Sequence, residues 1–154
     1  MPKAEDIQRE YYLKISEVYD SMHVNSGDEH YVSLKYISGF LDKLSIFSIL
    51  DVGCGTGRGV KYFMEHHPEI EIKGVEPVLA LIDQAIKKNN IPEKVIICAK
   101  GENLPFDDNS FDAVCEFGIL HHVDNPNIIV SEMMRVAKKP FLYQMPTDLV
   151  REAC

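Results

Sequence analysis

The sequence predicts an α/β fold: a doubly wound, mostly parallel sheet with helices on both faces. Three observations carry that expectation. Short apolar runs of strand length alternate with amphipathic stretches of helical period, and strands alternating with helices imply a parallel sheet. The run Ile49-Leu50-Asp51-Val52 ends in an acid and then three alternate glycines, Gly53, Gly55 and Gly57. Glycines so spaced let the backbone turn sharply and approach a ligand, because no Cβ intrudes. The residues from Arg58 to Met64 can then start a helix whose free N–H groups face that ligand. Strand, glycine turn and helix together make a nucleotide-type cofactor site. Right-handed crossovers place it at the carboxyl ends of strands one and four.

The elements follow in order. An amphipathic helix is expected from about Glu5 to Ser21, with Ile7, Tyr11, Ile15, Val18 and Tyr19 at helical spacing. A polar break from His23 to Asp28, containing Gly27, precedes a second helix near Glu29 to Leu44. Strand one runs from Phe47 to Val52, and the helix after the glycines ends near His66-His67-Pro68. Strand two is Glu71 to Val75. Pro77, a favoured first-turn residue, opens a helix reaching about Asn89. Strand three is Val95 to Cys98. Pro105 and the polar turn from Asp107 to Ser110 lead into strand four, Phe111 to Phe117. Pro126 begins a helix that reaches Val136, and strand five is Phe141 to Met145.

A length of 154 residues suits one domain, and 45% hydrophobic residues suffice for one core. The net charge of −8, from 24 acids against 16 Lys and Arg, argues against a nucleic-acid backbone as partner. Lys87-Lys88 and Lys138-Lys139 read as solvated helix ends. The start of the chain, Met1 to Asp6, is polar without a secretory apolar run, and no stretch is long enough to span a bilayer. The expectation is a cytoplasmic, reduced protein with no membrane partner. Its cysteines, at 54, 98, 115 and 154, form no C-x-x-C pair. Cys98 and Cys115 are expected to be small core hydrophobes, and Cys54 a packing residue within the glycine loop.

Counting excludes two familiar glycine motifs. The dinucleotide pattern G-x-G-x-x-G needs a third glycine, where this chain has Arg58 or Val60. The phosphate loop needs Gly-Lys-Ser/Thr, but Lys61 follows Val60 and precedes Tyr62. The pattern Asp-x-Gly-x-Gly-x-Gly instead resembles the first motif of the class I S-adenosylmethionine-dependent methyltransferases, of the type 11-like kind. The resemblance continues through Gly74-Val75-Glu76-Pro77 and Gly101-Glu102-Asn103-Leu104-Pro105-Phe106. It extends through Asp108 to Asp112, Phe117-Gly118-Ile119-Leu120-His121-His122-Val123, and Glu132-Met133-Met134-Arg135-Val136. These motifs stand in the family's order.

The resemblance implies a Rossmann-like sheet with strand order 3-2-1-4-5. It implies one methyltransferase domain: a helical lid over 1–45, a cofactor-binding core over 46–146 and a short tail over 147–154. The family's usual sheet has seven strands, and Pro146 to Cys154 are too few for the last two. The C-terminal antiparallel strands are therefore expected to be missing. Strand five would then be an open edge. A natural short form, a truncated chain and a homodimer covering that edge all fit.

The implied cofactor is S-adenosyl-L-methionine, and each part of it assigns residues. Gly53, Cys54, Gly55 and Gly57 would pass beneath the methionine and ribose, and Asp51 would favour the methionine ammonium. Glu76 would accept both ribose hydroxyls. Pro77 and Leu81 would wall the adenine, with Gly101 and Glu102 along its edge. Many relatives carry Asp where this chain has Lys100, which has no acceptor. Phe117 would close over the cofactor. Glu116, His121 and His122 are the candidates for a catalytic proton acceptor, although methyl transfer depends more on alignment than on a base. The plainer alternatives are a turn cap for Glu102, packing and loop-capping for the two histidines, and core packing for Tyr11. Tyr19 is left open as a cofactor contact. No metal is expected, since His66-His67 and His121-His122 diverge as neighbours and no H-E-x-x-H occurs. The acceptor is expected to be a small molecule, with its atom (O, N, C, S or As) unassigned. The rival functions are an inactive or partner-dependent cofactor-binding module and, last, an NAD-dependent oxidoreductase.

Overall fold

The computed structural model describes residues 4–15, 18 and 28–138. Four parallel strands form one sheet in the order β3-β2-β1-β4. They are β1 (Ser48–Val52), β2 (Glu71–Val75), β3 (Ile96–Ile97) and β4 (Ala113–Cys115). The helices are α1 (Ala4–Ile15), α2 (Glu29–Ser38), α3 (Leu41–Leu44), α4 (Arg58–His66), α5 (Leu79–Lys87) and α6 (Pro126–Val136). The expected doubly wound arrangement is present, and the order matches the first four strands of the expected one. Strand five, the tail, Tyr19 and Cys154 lie outside the described residues.

β1 is the middle of the sheet because it is apolar on both faces. Its residues from Ile49 to Val52 are all buried, as parallel strands covered on both sides require. Ile49 packs with Val60 and Phe63 of α4, Ile72 of β2 and Ala85 of α5, under Leu34 and Leu41 of the N-terminal helices. Leu50 and Val52 point the other way, into Val75, Val114 and the α6 residues Ile129, Met133 and Val136. The register pairs Val52 with Val75 and Asp51 with Cys115, so the carboxyl ends of β1, β2 and β4 finish together. That alignment brings the residues after each strand to one rim. Asp112 ties the opposite ends, its Oδ2 accepting from Phe47 N and Ser48 Oγ at 3.0 Å each.

Several boundaries differ from the expected ones for identifiable reasons. The second helix breaks at Gly39-Phe40, where the N–H of Gly39 closes α2 on the Lys35 carbonyl. α5 starts at Leu79 rather than Pro77, because Glu76 Oε1 accepts the Val78 N–H at 2.9 Å and makes a turn first. β4 stops at Cys115: the Glu116 carboxylate accepts the N–H groups of Gly118 and Ile119, both at 2.8 Å, and curls the backbone away. β3 stops at Ile97, which leaves Cys98 exposed and corrects its placement in the core. Tyr11 is 44% exposed, so it is not core packing either; its ring meets that of Tyr12 edge-on at 5.7 Å. No helix among the described residues is long and apolar enough to cross a membrane.

Candidate cofactor and active site

The glycine loop leaves β1 with three left-handed residues, Gly53, Gly55 and Gly57, at φ 75°, 56° and 79°. Two of them differ sharply in surroundings. A Cβ on Gly57 would collide with the Ile91 side chain, so that glycine serves the packing of the loop against α5. A Cβ on Gly55 would meet nothing within 4 Å. Gly55 thus faces open space at the rim. Val75 O receives the N–H groups of Gly53 and Cys54 at 2.8 and 3.1 Å, which fixes the loop to the end of β2. Cys54 is 8% exposed and packs against Gly74, where a Cβ would come within 2.7 Å of its Sγ. Burial pushes its thiol pKa well up, which suits packing rather than nucleophilic attack.

Three buried carboxylates stand at the aligned strand ends, Asp51 within β1 and Glu76 and Glu116 just after β2 and β4, at 2%, 5% and 4% exposure. Glu76 spans the open face. Its Oε2 accepts from Gly55 N at 3.0 Å and its Oε1 from Val78 N. Asp51 Oδ1 has no hydrogen-bond partner among the described residues. Burial, then the nearby Glu116 and Glu76 charges, raises the Asp51 pKa to about 8. A buried carboxyl without a partner is costly, and a cation delivered to this rim would relieve it. α4 comes close because Gly59 stands there: a Cβ would lie 2.6 Å from Asp51 Oδ2.

The segment expected beside an adenine is held by α6. Leu104 N donates to Glu132 Oε2 at 2.9 Å. Arg135 bonds that same carboxylate, the Leu104 and Phe106 carbonyls and Asp108. Gly101 is buried against Ile129 and Val52, while Glu102 is half-buried. The turn there closes through Asn103 N and the Lys100 carbonyl, a backbone bond that needs no side-chain cap. Pro77 is half-buried. Leu81 is 2% exposed and belongs to the core, so it offers no wall to a ligand; Leu79, 66% exposed, is the apolar side chain available beside Pro77.

On the other side of the rim lie aromatic rings. Phe117 sits over Gly59, its Cε2 3.3 Å from where a Cβ would stand. The His121 and His122 ring centroids are 3.7 Å apart, and His122 meets the Tyr12 ring edge-on at 6.2 Å. Burial, and then His121, lowers the His122 pKa. His30 of α2 comes to the same place, its ring 6.4 Å from Phe117 and its Nε2 facing Gly118. A bidentate ion pair holds α2 there: Arg58 at the start of α4 donates to both Asp28 oxygens, at 2.6 and 2.8 Å. Asp28 also caps α2 by accepting from Tyr31 N at 2.9 Å. No group of metal-ligating side chains occurs among the described residues.

The sequence-derived residues Asp51, Gly53, Cys54, Gly55, Gly57, Glu76 and Glu116 therefore meet at one rim, with Phe117 beside them. His30, Asp28, Arg58, Glu132 and Arg135 had no assigned part in it. An acid just before a helix is a cap signal, so Asp28 was detectable in principle. Its partner thirty residues away in sequence was not.

Residues 50–140 match a family model described as a methyltransferase domain. The chain belongs to the class I S-adenosylmethionine-dependent methyltransferase family. It is 37% identical over 99 residues to an uncharacterized methyltransferase of Schizosaccharomyces pombe, covering 58% of this chain and 36% of that one. It is 31% identical over 107 residues to phthiotriol/phenolphthiotriol dimycocerosates methyltransferase 1 of Mycobacterium ulcerans, covering 70% of this chain. The chain spans 39% of that relative's length. Among solved structures, the YcgJ protein of Bacillus subtilis matches with a TM-score of 0.62 and 25% identity, over 79% of this chain and 54% of that one. The [4+2]-cyclase SpnF shares the family's fold, with a TM-score of 0.64 at 19% identity, over 90% of this chain and 57% of that one.

Proposed function

We propose that the chain binds S-adenosyl-L-methionine on the open face of Gly55 and transfers its methyl group to a small-molecule acceptor. The observation that carries this reading is that open face, flanked by the buried carboxyls of Asp51 and Glu76. The residues present fit the cofactor. The orphan Asp51 Oδ1 suits an ammonium, and the buried Glu76 carboxylate, just after β2 and beside Gly55, suits the ribose hydroxyls. In this reading Gly53, Cys54 and Gly57 shape the cradle. Pro77 and Leu79 flank the adenine, and Gly101 and Glu102 run along its edge.

When bound, the cofactor supplies an electrophilic methyl on a sulfonium. The chain's own residues then align and desolvate. Glu116, its Oε2 occupied by two backbone N–H groups, positions the Phe117 to Ile119 turn rather than taking a proton. Phe117 screens the reacting centre from water. In this reading α1, α2 and α3 act as the lid, with α2 pinned by Asp28 and Arg58. The net charge of −8 favours a small acceptor over nucleic acid. The described cysteines are free thiols, which supports a reducing, cytoplasmic setting.

A second reading, a cofactor-binding module without methyl transfer, draws support from the fold's occurrence in a cyclase. Turnover separates the two. Incubation with methyl-labelled cofactor and a panel of small hydroxyl, amine and thiol acceptors is expected to release S-adenosylhomocysteine with label on one class. Tight cofactor binding with no label transferred to any of them would favour the module.

A further inference from the structure

α5 is braced against the glycine loop at both of its ends. At its start, Glu76 takes the Gly55 N–H with one carboxyl oxygen and the Val78 N–H with the other. At its far end, Asn89 reaches back across 33 residues of sequence and donates its side-chain Nδ2 to the Thr56 carbonyl at 2.9 Å. The peptide plane between Thr56 and Gly57 is thereby clamped on both edges, because the Gly57 N–H donates to the Cys54 carbonyl at 2.8 Å. That plane lies between the open face of Gly55 and the first helical bond of α4, from Lys61 N to the Gly57 carbonyl at 2.8 Å. Glycine at 57 admits φ of either sign, so side-chain sterics do not oppose a flip of the plane. Hydrogen bonds must oppose it instead. The end of α5 that carries Asn89 is itself fixed. Lys88 N and Asn89 N both donate to the Gln84 carbonyl, at 2.8 and 3.3 Å, and Ile91 N returns to the Ala85 carbonyl at 3.1 Å. Asn90 between them is left-handed, with φ 55°, and Ile91, 2% exposed, packs beneath Gly57. Asn89 is half-buried, so a closed helix end aims its amide and partly shields it from water.

We infer that Asn89 is a positioning residue for the cofactor, its amide holding the Thr56–Gly57 plane in the orientation that shapes the open face of Gly55. The inference rests on the cofactor reading above. Asn89 acts through the loop, not by touching the ligand. Held this way, the plane also aims the first N–H groups of α4 at the same face, where a helix start favours a ligand's polar end. A loop with glycines at 53, 55 and 57 gains its close approach to a ligand at the cost of backbone freedom. Asn89 removes that freedom before the ligand arrives, which lowers the ordering cost of binding. The requirement is for a donor at this position. A carbonyl oxygen only accepts, so aspartate, with the shape of asparagine but no N–H, would set a carboxylate against the Thr56 oxygen.

The test uses the whole chain, with S-adenosylhomocysteine affinity read by calorimetry and amide hydrogen exchange of the unliganded chain read by NMR. Asn89→Ala should bind S-adenosylhomocysteine roughly fivefold more weakly, the worth of one hydrogen bond. Asn89→Asp should lose at least as much, although it keeps the side chain's shape. In both variants exchange protection should fall at the Gly57 N–H and stay in place at the amides of β1. General destabilisation would not produce that split, because it opens the sheet as well as the loop. Unmodified affinity in Asn89→Asp, or protection lost equally at Gly57 and β1, would overturn the inference while leaving the cofactor reading intact. Failure of the unmodified chain to bind S-adenosylhomocysteine would instead contradict the cofactor reading, and this inference with it.

Discussion

The two sides of the rim are built differently. On the proposed cofactor side, Asp51 and the glycine loop lie on one continuous strand–turn–helix and Glu76 just after its neighbour β2; both carboxyls are buried, and Glu76 is bonded to backbone. On the proposed acceptor side, His30, Tyr12 and the His121-His122 turn come from three separate segments, with His30 and His121 exposed and Tyr12 and His122 half-buried. What holds His30 in place is a side-chain ion pair, Asp28 with Arg58, not a strand. In the proposed reading, rigid backbone fixes the cofactor half of the chemistry and tethered helices carry the acceptor half. Sites on strands hold geometry more closely than sites on loops.

The largest expected effect comes from Gly55→Val. The new Cβ meets no protein atom within 4 Å, so the side chain enters the open face, and a β-branched residue is forced to a positive φ. Cofactor binding should be lost, with a stability cost of about 1–3 kcal/mol from backbone strain. Calorimetry and circular dichroism together decide; retained affinity would break the assignment of this side.

Asp51 gives a pH signature. Its pKa is about 8 in the folded chain against an ordinary 3.8, so the folded state holds the proton more tightly. The contribution is complete below the ordinary value and is lost as pH rises toward about 8. Unliganded thermal stability should fall across that window, and Asp51→Asn should flatten the fall. An identical slope in the variant would mean that Asp51 is not the buried acid responsible.

Glu76→Ala should weaken cofactor binding by about 1.5–3 kcal/mol, as expected for hydrogen bonds to a charged group. Glu102→Ala should cost less, because Glu102 is half-buried and at the segment's edge. A reversed ranking, read by titration, would move the ribose to the other acid. Smallest is the effect of Arg58→Ala on cofactor affinity, expected to be near zero, while the KM for an acceptor rises as α2 loosens. Equal losses in both would erase the contrast between the two sides.

How much of this was legible in the sequence follows the same division. The Asp51 to Gly57 run, Glu76 and the Pro126-initiated α6 could be read because contiguous residues encode them: an apolar strand, an obligate glycine, a proline at a helix start. Cys98 and Tyr11 were misplaced because periodicity cannot tell where a strand or a covering face stops. The early end of β3 decides it for Cys98, and the exposed face of α1 decides it for Tyr11. The site's long-range partners, Arg58 for Asp28 and Arg135 for the 104–108 segment, depend on tertiary packing and leave no local trace. His30 was invisible for the same reason.

The central claim is that this chain's cofactor side is complete by itself. Its most direct test is calorimetric titration of the chain with S-adenosylhomocysteine and, separately, with NAD. The account predicts saturable one-to-one binding of the first, abolished by Gly55→Val, and no heat from the second. Heat from NAD with none from S-adenosylhomocysteine would contradict it.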